Sequence, residues 1–321
     1  MSNRLLILSF AIAPILALIK LVRSFAQGMG LVALAQAPHE LIRPILIVGA
    51  IGTLFVLGAS ASAYDYLIVS AAAGIIALGI GTLLLWRRLP QSSGAPLIAK
   101  PQPHELAPFF GISLVSVFHT EFATLALTLL STAEQTGLYQ PTSRFALLLA
   151  LPAGAVAARF APRIAEFYTN GELDRLKSVT HQFTLVTTAL TALLAIILGL
   201  AGPWLMLLFG PAFVEAAPLL WVVGAAYLFS IACGPVGFLL TMTGDSKKFL
   251  GIRIKAMLVA VALAVLLVPT YGIWGAVIAI SASMVVSNIL GSIAVKKRHG
   301  FQPSILAVAK ERMFGVTGSP K

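Results

Sequence analysis

The stretch IRIKAMLVAVALAVLLVPTYGIWGAVIAISASMVVSNILGSIAV, residues 252–295, decides the fold class of this chain. After Lys255 it contains no charged residue, and it is long enough for two apolar segments with a turn at Pro269–Gly272. About 18 or more apolar residues in a helix cross the roughly 30 Å hydrocarbon core of a bilayer. Backbone polar groups in lipid must find partners within the segment, so such segments are helices. The stretch therefore predicts two membrane-spanning helices, at 252–270 and 273–295.

Similar apolar runs recur toward the N-terminus. The chain has 321 residues, of which 59% are hydrophobic and only 10% are charged, whereas soluble domains carry roughly a quarter of their residues as Asp, Glu, Lys and Arg. The first run is not followed by a small-x-small cleavage site, so we expect an uncleaved helix there. The sequence predicts an all-α, polytopic transmembrane helical bundle with about nine spans, at 5–22, 44–63, 66–86, 108–130, 138–160, 182–202, 217–240, 252–270 and 273–295.

The basic residues are distributed unevenly among the connections. Of the 22 Lys and Arg residues, all but Arg4 and Arg144 fall in alternate connections or in the C-terminal tail. The positive-inside rule assigns that side to the cytoplasm. This predicts a multi-pass protein of the bacterial cytoplasmic (inner) membrane with a cytoplasmic C-terminus. The net charge of +11 then reflects orientation and contact with anionic membrane lipids, and we expect no nucleic-acid partner.

A proline-rich basic connection divides the chain. Residues 87–107 combine Pro90, Pro96, Pro101 and Pro103 with Gly and Ser, a composition typical of linkers. We expect a partial N-terminal helical lobe of three spans at 1–86, this cytoplasmic linker, a six-helix lobe at 108–299 and a cytoplasmic tail at 300–321. Residues 305–313 are compatible with a surface helix or with a frayed end. Helix breakers at Pro14, Pro152 and Gly234-Pro235 predict bends within spans.

Five short motifs stand in a fixed order along the chain: Gly137-Leu138-Tyr139 continuing to Arg144-Phe145, Pro162-Arg163-Ile164-Ala165-Glu166-Phe167-Tyr168 followed by Gly171-Glu172, Leu207-Leu208-Phe209-Gly210-Pro211-Ala212-Phe213, Thr243-Gly244-Asp245, and Val268-Pro269-Thr270-Tyr271-Gly272-Ile273-Trp274-Gly275-Ala276. Together with the segment from Leu21 to Pro44, they resemble the polysaccharide (Wzx-type) flippases of the multidrug/oligosaccharidyl-lipid/polysaccharide exporter superfamily. The Phe-Gly-x-x-Phe and Pro-x-Tyr-Gly-Ile-x-Gly-Ala patterns are similar to family turns on the outer side of the membrane.

The resemblance implies twelve or more helices in two six-helix lobes around a central cavity. This chain matches helices four to twelve and lacks counterparts of the first three, and an outer-side Met1 likewise hints at helices upstream. The implied function is transport of a polyprenyl-pyrophosphate-linked oligosaccharide for surface polysaccharide or lipopolysaccharide synthesis, with H⁺ or Na⁺ as a coupling ion and polysaccharide biosynthesis machinery as partners. Three alternatives stay open: a multidrug or cation exporter of the same superfamily, a membrane enzyme of the same pathway, and a nonfunctional or accessory fragment.

Two charges are predicted to lie deep in the membrane, where an ionised group is costly unless it is paired or hydrated. Glu121 precedes the external turn near 131–137 by about ten residues, and Arg144 follows that turn. At 1.5 Å per residue both lie roughly 10–15 Å below one end of an antiparallel hairpin, with His119 nearby on a different helix face. The functional interpretation is a cationic cavity in which Arg144 binds pyrophosphate and Glu121 or His119 takes part in ion coupling. The alternative is a structural ion pair or an outward-reaching Arg.

Basic residues near the predicted cytoplasmic ends supply further candidates for substrate binding. Lys20 and Arg23 stand at the end of the first span, and Arg43 and Arg159 are placed similarly. For all four, anchoring at the anionic leaflet is the favoured interpretation. Asn288, in the last span, is expected to bond a neighbouring helix rather than a substrate.

Motifs for catalysis are absent from the sequence. There is no Gly-x4-Gly-Lys-Ser/Thr loop, no HExxH, no GxSxG and no CxxC, and these are the patterns that bind nucleotides or metals or supply a nucleophile. The single cysteine, Cys233, excludes an internal disulfide. We therefore expect no enzymatic activity, no cofactor and no metal site.

Overall fold

The computed structural model of the chain describes residues 3–29, 31, 34, 37–58, 62–88 and 103–314. Every regular element in this part is helical, as predicted. The chain divides into two compact units, Met1–Ala99 and Lys100–Lys321. Most of the predicted linker, residues 89–102, lies outside the described residues. The helix that follows begins at Pro103, five residues before the predicted start at 108.

The first unit contains three α-helices: α1 (Asn3–Gly28), α2 (Arg43–Val56) and α3 (Ala63–Trp86). A π-helical turn, Pro38–Ile42, runs directly into α2, and α3 packs against both α1 and α2. The span predicted at 44–63 is shorter than expected, because α2 ends at Val56. Counted from Pro38, the helical stretch is about 28 Å long at 1.5 Å per residue, close to the thickness of the hydrocarbon core.

The second unit contains eight α-helices: α4 (Pro103–Leu130), α5 (Ala133–Leu148), α6 (Leu151–Thr169), α7 (Leu173–Leu207), α8 (Leu219–Ala232), α9 (Val236–Met242), α10 (Ser246–His299) and α11 (Ile305–Phe314). A 3₁₀ turn, Pro211–Ala216, links α7 to α8. Helix α10 packs on α4 and α8, and α7 packs on α6 and α8. These helices enclose an apolar core in which Leu127, Leu219 and Val277 are fully buried.

Helix α10 is a hairpin rather than a straight rod. Its backbone leaves the helical region at Gly272, where φ is 50° and ψ is −124°. Arg298 Nε lies 3.3 Å from Asp245 Oδ2, so the two ends of this 54-residue element meet. A positive φ favours glycine, and a Cβ at position 272 would also lie 2.7 Å from Gln135 Oε1. The predicted turn at Pro269–Gly272 is confirmed, and it separates a first arm (246–271) from a second arm (273–299).

The described helices account for most of the predicted membrane crossings. Four described helices are long and apolar enough to cross a membrane: Tyr64–Trp86, Leu106–Leu130, Leu173–Leu207 and Ser246–His299. Two bent helix pairs also qualify if each pair is one span: Ala133–Ala157 with Pro162–Thr169, and Leu219–Ala232 with Val236–Met242. Because α10 doubles back, it supplies two crossings. The second unit thus has one crossing for each of the six runs predicted between 108 and 295. In the first unit, α2 falls short of the criterion at 14 residues.

The predicted helix breakers behave differently from one another. Gly234 and Pro235 separate α8 from α9, which are bent by 40°. Pro152 lies in the first turn of α6, just after α5 ends, and Pro14 lies inside the continuous helix α1. Pro152 is tolerated because it lies in a first turn, where its missing N–H has no partner to lose.

The tail beyond residue 300 is packed into the second unit. Thr184 Oγ1 donates to the Pro303 carbonyl at 2.8 Å, and Phe301 is buried in a second apolar cluster. A Cβ at Gly234, where φ is +87°, would overlap the same Pro303 carbonyl. Helix α11 follows, so of the two alternatives for residues 305–313 the helix is the one observed. Residues 315–321 lie outside the described residues.

Candidate functional site

A polar pocket in the second unit brings together three residues that the sequence singled out. Its lining includes His119 and Glu121 from α4, Arg144 from α5, and Tyr139 and Tyr227. Its volume is about 100 Å³. Helix α8 and the second arm of α10 complete the wall. We call it the Arg144 pocket.

The α4–α5 hairpin sets the depth of the two charged groups. Thr132 caps α5 by accepting a hydrogen bond from Gln135 N at 3.3 Å, which fixes the start of that helix at the turn. Glu121 stands nine residues before the end of α4, and Arg144 stands eleven residues after the start of α5. At 1.5 Å per residue these distances are about 14 and 17 Å. The two groups therefore lie near mid-membrane, somewhat deeper for Arg144 than the sequence indicated.

Glu121 and Arg144 do not form a structural ion pair. Both residues are exposed on the surface of the second unit. The salt bridges among the described residues join Arg175 to Glu172, and Lys248 and Arg298 to Asp245. The ion-pair alternative is thus not what the structure contains, and both charges face the pocket.

His119 lies on the inner side of the same pocket. It is partly buried, and its Nε2 atom has no hydrogen-bond partner among the described residues. His119 and Glu121 face different sides of α4, as expected, yet the pocket extends far enough around the helix to contact both. An unsatisfied buried imidazole nitrogen is costly, so this atom is suited to forming a hydrogen bond with a ligand.

Two tyrosines in the wall were not predicted from the sequence. Tyr139 retains only 7% of its surface exposed, and Tyr227 packs against the main core cluster. Tyrosine combines a large apolar face with a hydroxyl group. The family-like Gly137-Leu138-Tyr139 motif contains one of them, but nothing in the spacing indicates that its ring lies beside Glu121 and Arg144.

The candidates in the first unit remain less defined. Lys20 is exposed near the end of α1, and its carbonyl accepts a hydrogen bond from Ser24. Arg23 is partly buried beside Pro38 and Gly81. Arg43 donates to Ser70 Oγ at 2.8 Å and so ties α2 to α3. A role for Lys20 and Arg23 in substrate binding stays a prediction, and the side chain of Arg159 lies outside the described part of the chain.

A second cavity in the same unit contains an arginine that sequence reasoning assigned to a basic turn. Arg253 lines a cavity of about 400 Å³, which we call the Arg253 cavity. Its wall includes Ser230, Ser287 and Asn288, together with Phe183, Phe238 and Phe249. Asn288 Nδ2 donates to Ser230 Oγ at 2.7 Å, which confirms the expectation that Asn288 bonds a neighbouring helix.

The described part of the chain contains no candidate metal site. No group of three or more His, Cys, Asp or Glu side chains is close enough there to hold an ion, and Cys233 is buried as a free thiol. What the two pockets offer is recognition: guanidinium groups for anions, one carboxylate for a cation or proton, and aromatic faces.

Comparison with known proteins supports the fold. No protein-family profile matches the chain. It is 30% identical over 202 residues to the uncharacterized membrane protein EpsK of Bacillus subtilis (strain 168), and the alignment covers 60% of this chain and 40% of EpsK. The chain thus spans well under half of that relative.

Two crystal structures share its fold. MATE in the bent conformation superposes with a TM-score of 0.69 over 95% of this chain and 69% of that protein. MATE in complex with MaL6 gives a TM-score of 0.67 over 91% and 68%. Identity is 15% in both cases. The chain is therefore an all-helical membrane protein with a MATE-like fold.

Proposed function

We propose that this chain is a membrane transporter of the multidrug/oligosaccharidyl-lipid/polysaccharide exporter superfamily, not an enzyme, and that it moves a polyprenyl-pyrophosphate-linked oligosaccharide across the cytoplasmic membrane. The observation that carries the proposal is the Arg144 pocket, where a guanidinium, a carboxylate and an imidazole gather at mid-depth. The MATE-like fold supports transport. The choice of substrate rests on the family-like motifs and on the chemistry of Arg144.

Arg144 is suited to a pyrophosphate group. Its planar fork donates two parallel hydrogen bonds to adjacent phosphate oxygens, which a lysine cannot do. The residue is exposed and lacks a carboxylate partner within 4 Å among the described residues, so no internal ion pair has to be broken before an anion binds. Lys20 and Arg23 would attract the same headgroup at the predicted cytoplasmic end of the first unit.

Glu121 gives the pocket a means of ion coupling. An ionised carboxylate lining the same pocket opposes an anionic headgroup, because like charges repel across a short distance of low dielectric. A proton or Na⁺ on Glu121 would remove that repulsion, so ion binding and substrate binding would favour one another. His119, with its unsatisfied Nε2, is placed to relay such a proton.

The pocket has to open for transport. Ligand pockets are typically 300–1,000 Å³, whereas the Arg144 pocket is about 100 Å³. It therefore accommodates part of a headgroup at most in this conformation. Alternating access supplies the remaining space if the chain moves at its two bends, one within α6 between Ala157 and Pro162 and one between α8 and α9, while the lipid tail stays in the bilayer.

The test is to change Arg144 to Ala and to measure surface polymer in cells that depend on this chain for export. We expect export to fall at least about tenfold, since the loss of a charge-assisted bidentate contact costs about 1.5–3 kcal/mol. Arg163→Ala is the matched control, because Arg163 is an exposed arginine of α6 outside both pockets. Protein abundance is measured in the same membranes.

Export by Arg144→Ala equal to wild type, at equal abundance, would remove Arg144 from the mechanism. A multidrug or cation exporter is the second candidate, because Glu121 is the group in this pocket that attracts cations. In that case Glu121→Gln would abolish resistance to cationic drugs, and Arg144→Ala would leave both resistance and polymer unchanged.

A further inference from the structure

The Arg253 cavity holds a partly buried cation of the second unit. Arg253 Nη2 donates to Ser116 Oγ at 3.2 Å, and this bond ties α10 to α4. Arg253 stands seven residues after the start of α10, and Ser116 stands 14 residues before the end of α4. An ionised group withdrawn from water in this way is costly unless a counter-charge or water accompanies it.

No carboxylate compensates this charge within the described part of the chain. None of the described salt bridges includes Arg253, and neither Asp nor Glu lines the cavity. A guanidinium carries five N–H donors, and a single bond, to Ser116, is formed by a described residue. Several donors thus face a cavity of about 400 Å³, which is within the range of ligand pockets.

The neighbouring polar groups are also placed to donate. Ser230 Oγ accepts from Asn288 Nδ2, so the Ser230 hydroxyl proton is left to donate to a further acceptor. Ser287 completes the polar side of the cavity. Three phenylalanines, Phe183, Phe238 and Phe249, also line the cavity. A cluster of donors around one cation beside an apolar wall selects a ligand with acceptor oxygens and a negative charge.

We propose that the Arg253 cavity is a binding site for a phosphate-type oxyanion, separate from the Arg144 pocket. A purely structural role for Arg253 requires only its bond to Ser116, which a smaller polar side chain would supply without a buried charge. The bound group is either a free phosphate species or the phosphate of a lipid headgroup, since the chemistry of recognition is the same. The inference holds whether or not the chain is a transporter.

The experiment measures binding of inorganic pyrophosphate to the purified full chain in phosphatidylcholine nanodiscs. Every protein in it, including the reference that serves as wild type, carries Arg144→Ala, because Arg144 is itself proposed to bind pyrophosphate. We expect Arg253→Gln to weaken binding at least about tenfold, because it removes the charge and the fork. Lys255→Gln is the matched control: Lys255 is an exposed cation two residues away on the same helix, and its loss should change affinity less than about twofold. Arg253→Lys keeps the charge without the planar fork and should bind with intermediate affinity.

Equal affinity for wild type and Arg253→Gln, or an equal loss in Lys255→Gln, would overturn the proposal. If Arg253→Gln does not yield folded protein, Arg253→Lys decides: affinity equal to wild type would overturn the proposal, and weaker binding would support it. Replacing part of the phosphatidylcholine with phosphatidylglycerol separates the two sources. A lipid phosphate in the cavity predicts competition in wild type that vanishes in the Arg253 variants, whereas a free phosphate predicts no competition. Export assays on Arg144 variants are independent of this readout, so either proposal can fail alone.

Discussion

Two pockets of one helical bundle each contain an arginine, and the surroundings of the two arginines differ. Arg144 is exposed and shares a pocket of about 100 Å³ with Glu121 and His119. Arg253 is partly buried and lines a cavity of about 400 Å³ that contains hydroxyl, amide and phenyl groups. The first pocket holds both signs of charge, so its net charge changes when a proton or cation binds. The second holds positive charge alone.

This difference in charge indicates that the two pockets would bind an anion in different ways: the Arg144 pocket would exchange it, and the Arg253 cavity would retain it. A pocket with a titratable carboxylate and an exposed guanidinium can bind and release an anion as the carboxylate changes state. A cavity lined by a cation and by no carboxylate has no such switch, so its affinity for an anion does not change when a proton or cation binds. The Arg144 pocket is therefore the place to seek turnover, and the Arg253 cavity the place to seek a bound anion.

The largest expected effect is a loss of stability from a substitution in the wall of the Arg253 cavity. Gly234 lines it with φ at +87°, and a Cβ there would overlap the Pro303 carbonyl. Gly234→Ala should destabilise the chain by about 3 kcal/mol, since a left-handed residue costs roughly 1–2 kcal/mol and overpacking adds roughly 1–3 kcal/mol. Gly244→Ala is the control, because Gly244 has φ at +86° and open space around it. Its cost should be about 1 kcal/mol.

Thermal unfolding of both variants in detergent measures this difference. Similar midpoints for the two alanines would mean that the tail segment at Pro303 moves aside without cost. The packing of residues 301–303 against Gly234 would then not support the Arg253 cavity.

The sequence singles out three residues that the structure brings into one pocket, and it gives no indication of the other pocket. Glu121 and Arg144 are isolated charges in apolar runs, and counting residues from one turn places them at similar depth. Tyr139 lies on α5 with Arg144, but Tyr227 joins them only through tertiary packing, because α8 is far away in sequence. Which helices border a pocket is not encoded in any local pattern.

The uneven distribution of basic residues places Arg253 in a connection, because it follows Lys247 and Lys248 closely. A helical signal nevertheless exists: Met257, Ala260, Ala264 and Val268 are buried at helical spacing after it, and Arg253 starts that stripe. Lys255 falls off the stripe and is exposed. A basic residue at the end of an apolar run therefore needs its helical phase examined before it is assigned to a turn.

The fold was more predictable than its irregularities. The six runs of the second unit, the turn at Pro269–Gly272 and the break at Gly234–Pro235 all follow from hydropathy and from the conformational limits of Gly and Pro. The start of α4 at Pro103 and the packing of the tail were not predicted. Both depend on contacts with distant segments, such as the bond between Thr184 and Pro303.

An effect of intermediate size is expected when the water accessibility of the two pockets is compared with single cysteines. In a Cys233→Ser background, Ser143→Cys places a thiol in the Arg144 pocket, and Ser287→Cys places one in the Arg253 cavity. Ser143 is partly exposed and Ser287 is buried. We expect a membrane-impermeant maleimide to react roughly tenfold faster at position 143, because only a hydrated thiol forms the reactive thiolate.

Adding the reagent from one face of sealed vesicles also tests the predicted orientation. The native Cys233, which is buried, supplies the unreactive baseline. Equal reaction rates at 143 and 287 would show that both cavities are open to water, and the distinction between exchange and retention would no longer stand.

The smallest expected effect concerns the polar network of the Arg253 cavity. Asn288 Nδ2 donates to Ser230 Oγ at 2.7 Å and to the Met284 carbonyl at 2.8 Å, whereas the Gln140 side chain in the Arg144 pocket donates to no described residue. Asn288→Ala should cost about 1 kcal/mol, the usual size of an interhelical hydrogen bond in a membrane. Gln140→Ala should cost less than about 0.5 kcal/mol. A side chain without fixed partners contributes little to stability. A larger loss of stability for Gln140→Ala than for Asn288→Ala would therefore contradict the view that the fixed polar network belongs to the Arg253 cavity.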